Sequence, residues 1–148
     1  MKKILFLSLL VGLFYACKKD KIGTKPILSF KGYSADSITP FTQDFIVSVN
    51  VEDGDGDIED TVGIAVLKNS EVAQHKDTFW TQLKMPSIGQ NRGNKVKAEV
   101  ILPLTSETYG FNYQHAAGDS AWFLVFIRDN AGNISDTIAT PKFPFDRN

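Results

Sequence analysis

The chain has 148 residues, 43% hydrophobic and 22% charged, with a formal net charge of −1; this describes one globular domain plus a short extra segment and excludes a disordered chain. Nothing in a balance of 16 Lys and Arg against 17 Asp and Glu favours nucleic acid, whose binding requires clustered Lys and Arg facing phosphates. A single cysteine excludes a disulfide framework, and the core must hold the fold by itself.

Lys2 and Lys3 give a positive start, and the 13 residues 4–16 are apolar apart from Ser8 and Gly12. Spanning a bilayer takes about 20 residues, so this stretch has the length of a signal-peptide core instead. Small Ala16 precedes Cys17, and polarity switches at once to Lys18-Lys19-Asp20-Lys21. Leu13-Phe14-Tyr15-Ala16-Cys17 resembles a bacterial lipobox in the looser form common among Bacteroidetes lipoproteins; the strict pattern has Leu where Phe14 stands and a small residue where Tyr15 stands. The resemblance implies that residues 1–16 are a cleaved signal peptide. It also implies that Cys17 carries diacylglycerol on sulfur and an N-acyl chain, holding the protein to a membrane. Burial of acyl chains contributes about 0.8 kcal/mol per CH₂, so several chains anchor essentially permanently. Lys18 in place of Asp after the cysteine implies the outer membrane, with the periplasmic and surface leaflets both open. Residues 17–25 read as a polar tether, and without Lys2 and Lys3 the 16 basic residues fall to 14 against 17 acidic ones, a net charge of −3.

From residue 26 to 148 the pattern is period-2 alternation between turn residues, without a helical period. Strands are expected at 27–31, 45–52, 61–68, 78–83, 95–102, 121–128 and 134–140. In the second of these Phe45, Val47, Val49 and Val51 share one face, while Ser48, Asn50 and Glu52 share the other. Residues 122–127 are apolar on both faces, as suits a central strand with a second cover, and 103–119 is expected to be a long connection. Seven short strands argue for an all-β antiparallel sandwich. Asp129-Asn130-Ala131-Gly132-Asn133-Ile134-Ser135 resembles the turn before the last strand of bacterial immunoglobulin-like and fibronectin-like modules. With the acidic loop below, the mature chain resembles the small Ig-like lipoproteins of Bacteroidetes, although it lacks the paired cysteines of antibody domains.

Asp53-Gly54-Asp55-Gly56-Asp57-Ile58-Glu59-Asp60 is the most chemically specific stretch. Carboxylates at alternate positions, with glycines that accept positive φ, let a loop curl so that its oxygens converge. Converging hard oxygens suit Ca²⁺, which takes six to eight ligands at about 2.3–2.6 Å. The stretch is not an EF-hand: Ile58 stands at the required glycine, Ile64 at the closing glutamate, and the flanks are strands. In an Ig-like sandwich this loop and the 129–135 turn emerge at one end. Asp53, Asp55, Asp57, Asp129 and Asn133 are therefore the candidate calcium ligands, and Ile58 is the candidate pin to the core. The plain alternative is a solvated hairpin in which Asp and Gly only turn the chain.

No enzyme is expected. Gly118-Asp119-Ser120 superficially matches a lipase serine block, but no histidine follows His115 to complete a triad. His75 and His115 also lack zinc spacing. Asp36-Ser37-Ile38, Asp60-Thr61-Val62, Asp119-Ser120-Ala121 and Asp136-Thr137-Ile138 resemble an O-glycosylation acceptor motif, although a polar turn residue before a strand produces the same tripeptide. Trp122, at the start of an apolar strand, is assigned to the core. Trp80, among Thr78, Thr81 and Gln82, is the candidate ligand-binding platform for a sugar ring. The expected function is a membrane-anchored, non-catalytic module, structural or docking an envelope protein or glycan; the alternative is a carbohydrate-binding lipoprotein of a glycan-uptake system.

Overall fold

The computed structural model describes residues 23–39, 42, 44–69, 78–87, 91–104 and 119–146. Cys17, the export segment, most of the tether, His75, His115 and most of the 103–119 connection lie outside them. Every named element is a strand: β1 (Ile27–Tyr33), β2 (Phe45–Asp53), β3 (Thr61–Lys68), β4 (Thr81–Lys84), β5 (Val96–Leu104), β6 (Ser120–Arg128), β7 (Ile138–Ala139) and β8 (Phe143–Pro144). One sheet has the order β1-β2-β5 and the other β4-β3-β6-β7, with β8 also on β6. All these pairings are antiparallel. The two sheets pack face to face as a β-sandwich.

Alternation explains the core. Phe45, Val47, Val49 and Val51 of β2 face Ala121, Phe123, Val125 and Ile127 of β6, all fully buried or nearly so. Val62 and Ile64 of β3 and Leu102 and Leu104 of β5 complete the layer. At the end where β2 begins, Phe123 and Phe143 stack at 5.3 Å, and Phe45 and Tyr33 lie 4.9 and 5.1 Å from Phe143. Tyr33 also ties the sheets together, its hydroxyl lying 2.5 Å from both Thr140 Oγ1 and Pro141 O. Among the described residues β5 pairs only with β2, and an edge strand tolerates the N–H that Pro103 lacks.

Two expectations need correction. The single strand at 134–140 is broken: it touches β6 at Ile134, then as β7, then as β8. The partner of β6 slips by one residue between Ile134 and Ile138 and again between Ala139 and Phe143. At each slip a hydroxyl replaces a ladder carbonyl: Ser135 Oγ accepts from Ile127 N at 2.9 Å, and Thr140 Oγ1 accepts from Phe123 N at 2.8 Å. These are β-bulges, and they bring the strand count to eight among the described residues.

Trp122 is the second correction. With Ala121 and Phe123 buried, it points to the outer face of its sheet and is only half-buried, with the Lys142 ammonium 4.6 Å from its ring centroid. Leu67 opposite it, Leu124 and Phe126 share that outer face. Phe126 lies across Gly63, where a Cβ would come within 2.1 Å of its ring.

Candidate metal centre

The inward alternation of β2 does not stop at Val51. Its next inward position is Asp53, which is 0% exposed; in the same way the inward row of β6 continues past Ile127 to Asp129, 1% exposed. Both strands run toward the same end of the sandwich, so two carboxylates stand where hydrophobic side chains would otherwise close the core. Burying a charge is costly unless it is paired or coordinates a metal.

The 53–60 loop adds two more. One carboxylate oxygen from each of Asp53, Asp55, Asp57 and Asp129 lies within 4.8 Å of all the others. Two ligands on opposite sides of one Ca²⁺ are about 4.6–5.2 Å apart, twice the usual bond length. The four oxygens therefore fit one calcium coordination sphere.

Hydrogen bonding holds the carboxylates in place and leaves oxygens over. Asp53 Oδ2 accepts from Gly56 N (2.7 Å) and Asp57 N (3.2 Å). Asp53 Oδ1, Asp55 Oδ1 and Asp57 Oδ1 are buried atoms with no hydrogen-bond partner among the described residues. Buried polar atoms are normally satisfied, and these three point into one cluster. Burial first, then the adjacent Asp55 carboxylate, pushes Asp53 above its ordinary pKa, against the two amides it accepts from. Asp57 is raised as well, by burial and then by the charges of Asp129 and Asp53.

Three connections build the site. Ile58, 3% exposed, pins the acidic loop to the core as expected. Asn130 N donates to Asp57 O at 2.9 Å and Gly93 N to Asp55 O at 2.6 Å, so the turn after β6 and the turn before β5 both grip the loop. Gly56 has φ +72°, and a Cβ there would lie 2.3 Å from Asn91 O and 2.5 Å from Asn94 O. Only glycine allows that approach. Asp55, Asp57, Arg92, Gly93, Asn130 and Ala131 line a shallow opening above the cluster. Sequence reasoning gave no role to Asn91-Arg92-Gly93-Asn94, because β2 and β5 are far apart in the chain and only their pairing, which ends at Asp53 and Val96, sets this turn against the acidic loop.

Asn133 lies against Asp129. Its backbone N–H donates to Asp129 Oδ1 (2.7 Å) and its Nδ2 to Asp129 Oδ2 (2.9 Å). It thus orients the Asp129 carboxylate. Asp60 stays outside the cluster and accepts from Arg128 Nε at 2.5 Å, which holds its pKa below the usual range.

The other expected residues sit elsewhere. Trp80 is 37% exposed, and its ring is engaged edge-on with Phe126 at 5.0 Å, while Phe79 beside it is 81% exposed. Asp119 accepts from Ser120 N through Oδ1 at 2.7 Å, a turn at the head of β6. Thr61 is buried against Arg128, whereas Thr137 is exposed. No family model, curated protein or solved structure matches the chain.

Proposed function

We propose that the chain is a lipid-anchored, non-catalytic β-sandwich module of the cell envelope whose acidic end is held together by Ca²⁺, with a structural or docking role. The anchor rests on the sequence around Cys17. The calcium reading rests on one observation above the others: Asp53 is fully buried at the end of a core strand, and its Oδ1 has no hydrogen-bond partner among the described residues but three further carboxylates around it. A plain acidic turn has no reason to bury two aspartates facing each other. The ion offsets their repulsion and supplies the partner that each free oxygen lacks.

Calorimetry of the protein with calcium and with chelator tests this reading. Calcium at 100 times its dissociation constant stabilises by about 2.7 kcal/mol, which raises Tm by about 10 °C for a domain of this size. An unchanged Tm in calcium removes the reading.

A further inference from the structure

The amino-terminal segment of the domain runs into the same end of the sandwich as the aspartate cluster. β1 begins at Ile27, opposite Glu52, the residue next to Asp53. Just before it, Pro26 is fully buried, Thr24 and Lys25 are exposed, and Asn133 Nδ2 donates to Thr24 O at 3.0 Å. That same Nδ2 donates to Asp129 Oδ2. One amide group thus joins a carboxylate of the candidate metal centre to the backbone that leads out of the domain. The other tie on this segment is the ion pair of Lys25 with Asp136 at 2.6 Å, with Asp136 92% exposed; exposed pairs of this kind contribute little.

We propose that cation binding at Asp53, Asp55, Asp57 and Asp129 clamps residues 23–25 onto the 133–136 turn, through Asn133, and that loss of the cation releases them. This rests on the calcium reading given above. The physical basis is the position of Asp129. It sits at the base of the turn, held by the Asn133 N–H and amide, with Gly132 N donating to Asp129 O at 3.1 Å and Asp129 N donating to Asn133 O at 3.0 Å. With an ion bound, Asp129 is drawn toward the other three carboxylates and the turn has one geometry. Without it, four carboxylates whose ligand oxygens lie within 4.8 Å repel one another. The turn after Asp129, exposed at Asn130, Ala131 and Gly132, is the part that responds. Movement of the turn carries the Asn133 amide away from Thr24. Pro26 and β1 stay docked, so the effect is confined to the direction and mobility of the segment that precedes them.

The test is ¹⁵N relaxation of the full-length chain in detergent micelles, with calcium chloride or chelator, alongside calorimetry of the same samples. Calcium is expected to raise the backbone order parameters of Gly23, Thr24 and Lys25 from below about 0.6 toward about 0.85. Asn133→Ala removes one of the two donors to Asp129 together with the tie to Thr24, so the ordering of 23–25 is lost and the calcium-induced rise in Tm is reduced but not abolished. Lys25→Ala retains both. A rise in Tm with no change at residues 23–25 overturns the clamp and leaves the calcium reading standing; ordering that survives in Asn133→Ala also overturns it. No rise in Tm and no ordering overturns the two together.

Discussion

Asp53 and Asp129 illustrate how one residue can serve the fold badly and a site well. Each occupies an inward position of the kind that hydrophobic side chains fill along the rest of its strand, so in the absence of a cation each is a cost to stability. Asp53→Asn separates the two roles. It removes a buried negative charge from beside three others while Asn Oδ1 still accepts from the Gly56 and Asp57 amides. The metal-free variant is therefore expected to melt at or above the wild-type temperature. Its response to calcium is expected to disappear, because a charged ligand in the sphere has gone. A variant that melted lower without calcium yet kept a full calcium response would mean that Asp53 is structural and ligates nothing. The candidate ligands were legible from the alternate spacing of Asp53, Asp55 and Asp57. That Asn133 orients Asp129 was not, because a side-chain amide donates or accepts with equal ease and only the geometry decides.

At the level of elements, the alternation in residues 45–52 and 61–68 located β2 and β3 to within a residue, and that in 121–128 did the same for β6. In the last segment alternation misled. Residues 134–140 have the composition of one strand, but Ser135 and Thr140 each turn a hydroxyl onto β6 where a carbonyl would continue the ladder. Hydroxyls that compete with backbone acceptors break regular pairing, and the composition of a strand does not reveal when they do so. Trp122 misled for a related reason: 122–127 is apolar on both faces, and the inward set was fixed only by which residues β3 and the opposite sheet enclose. The bulges make a prediction of their own. Ser135→Ala leaves the buried Ile127 N–H without an acceptor, and Thr140→Val does the same to Phe123 N while depriving the Tyr33 hydroxyl of one partner. Each is expected to cost about 1–3 kcal/mol in urea unfolding, despite a conservative change in volume. Losses below a few tenths of a kcal/mol would mean that the strand re-pairs regularly once the hydroxyl is gone.

For the molecule as a whole, the charges divide into two groups with opposite responses to pH. Glu52, Asp60 and Glu99 are exposed carboxylates whose pKa values are lowered, chiefly by hydrogen bonds from Lys97, Arg128 and Lys31 respectively. A lowered folded-state pKa gives stability that is present above the ordinary carboxylate range and is lost as pH falls through it. Asp53 and Asp57 are shifted the other way, burial being the largest cause for both. Their folded state holds protons that the unfolded chain has released, so that contribution is largest at low pH. It fades as pH rises from the ordinary value near 3.8 through the raised ones. The exposed group is screened by solvent and salt, so the buried aspartates set the trend above about pH 4.5. The metal-free protein is accordingly expected to melt at progressively lower temperature as pH rises from the ordinary aspartate value through the raised ones. Bound calcium requires the deprotonated carboxylates, so in saturating calcium the folded state holds no extra protons and Tm does not fall over the same window. The two melting curves diverge as pH rises if one ion is shared by the four aspartates, whereas parallel curves would mean that these carboxylates titrate without reference to a metal.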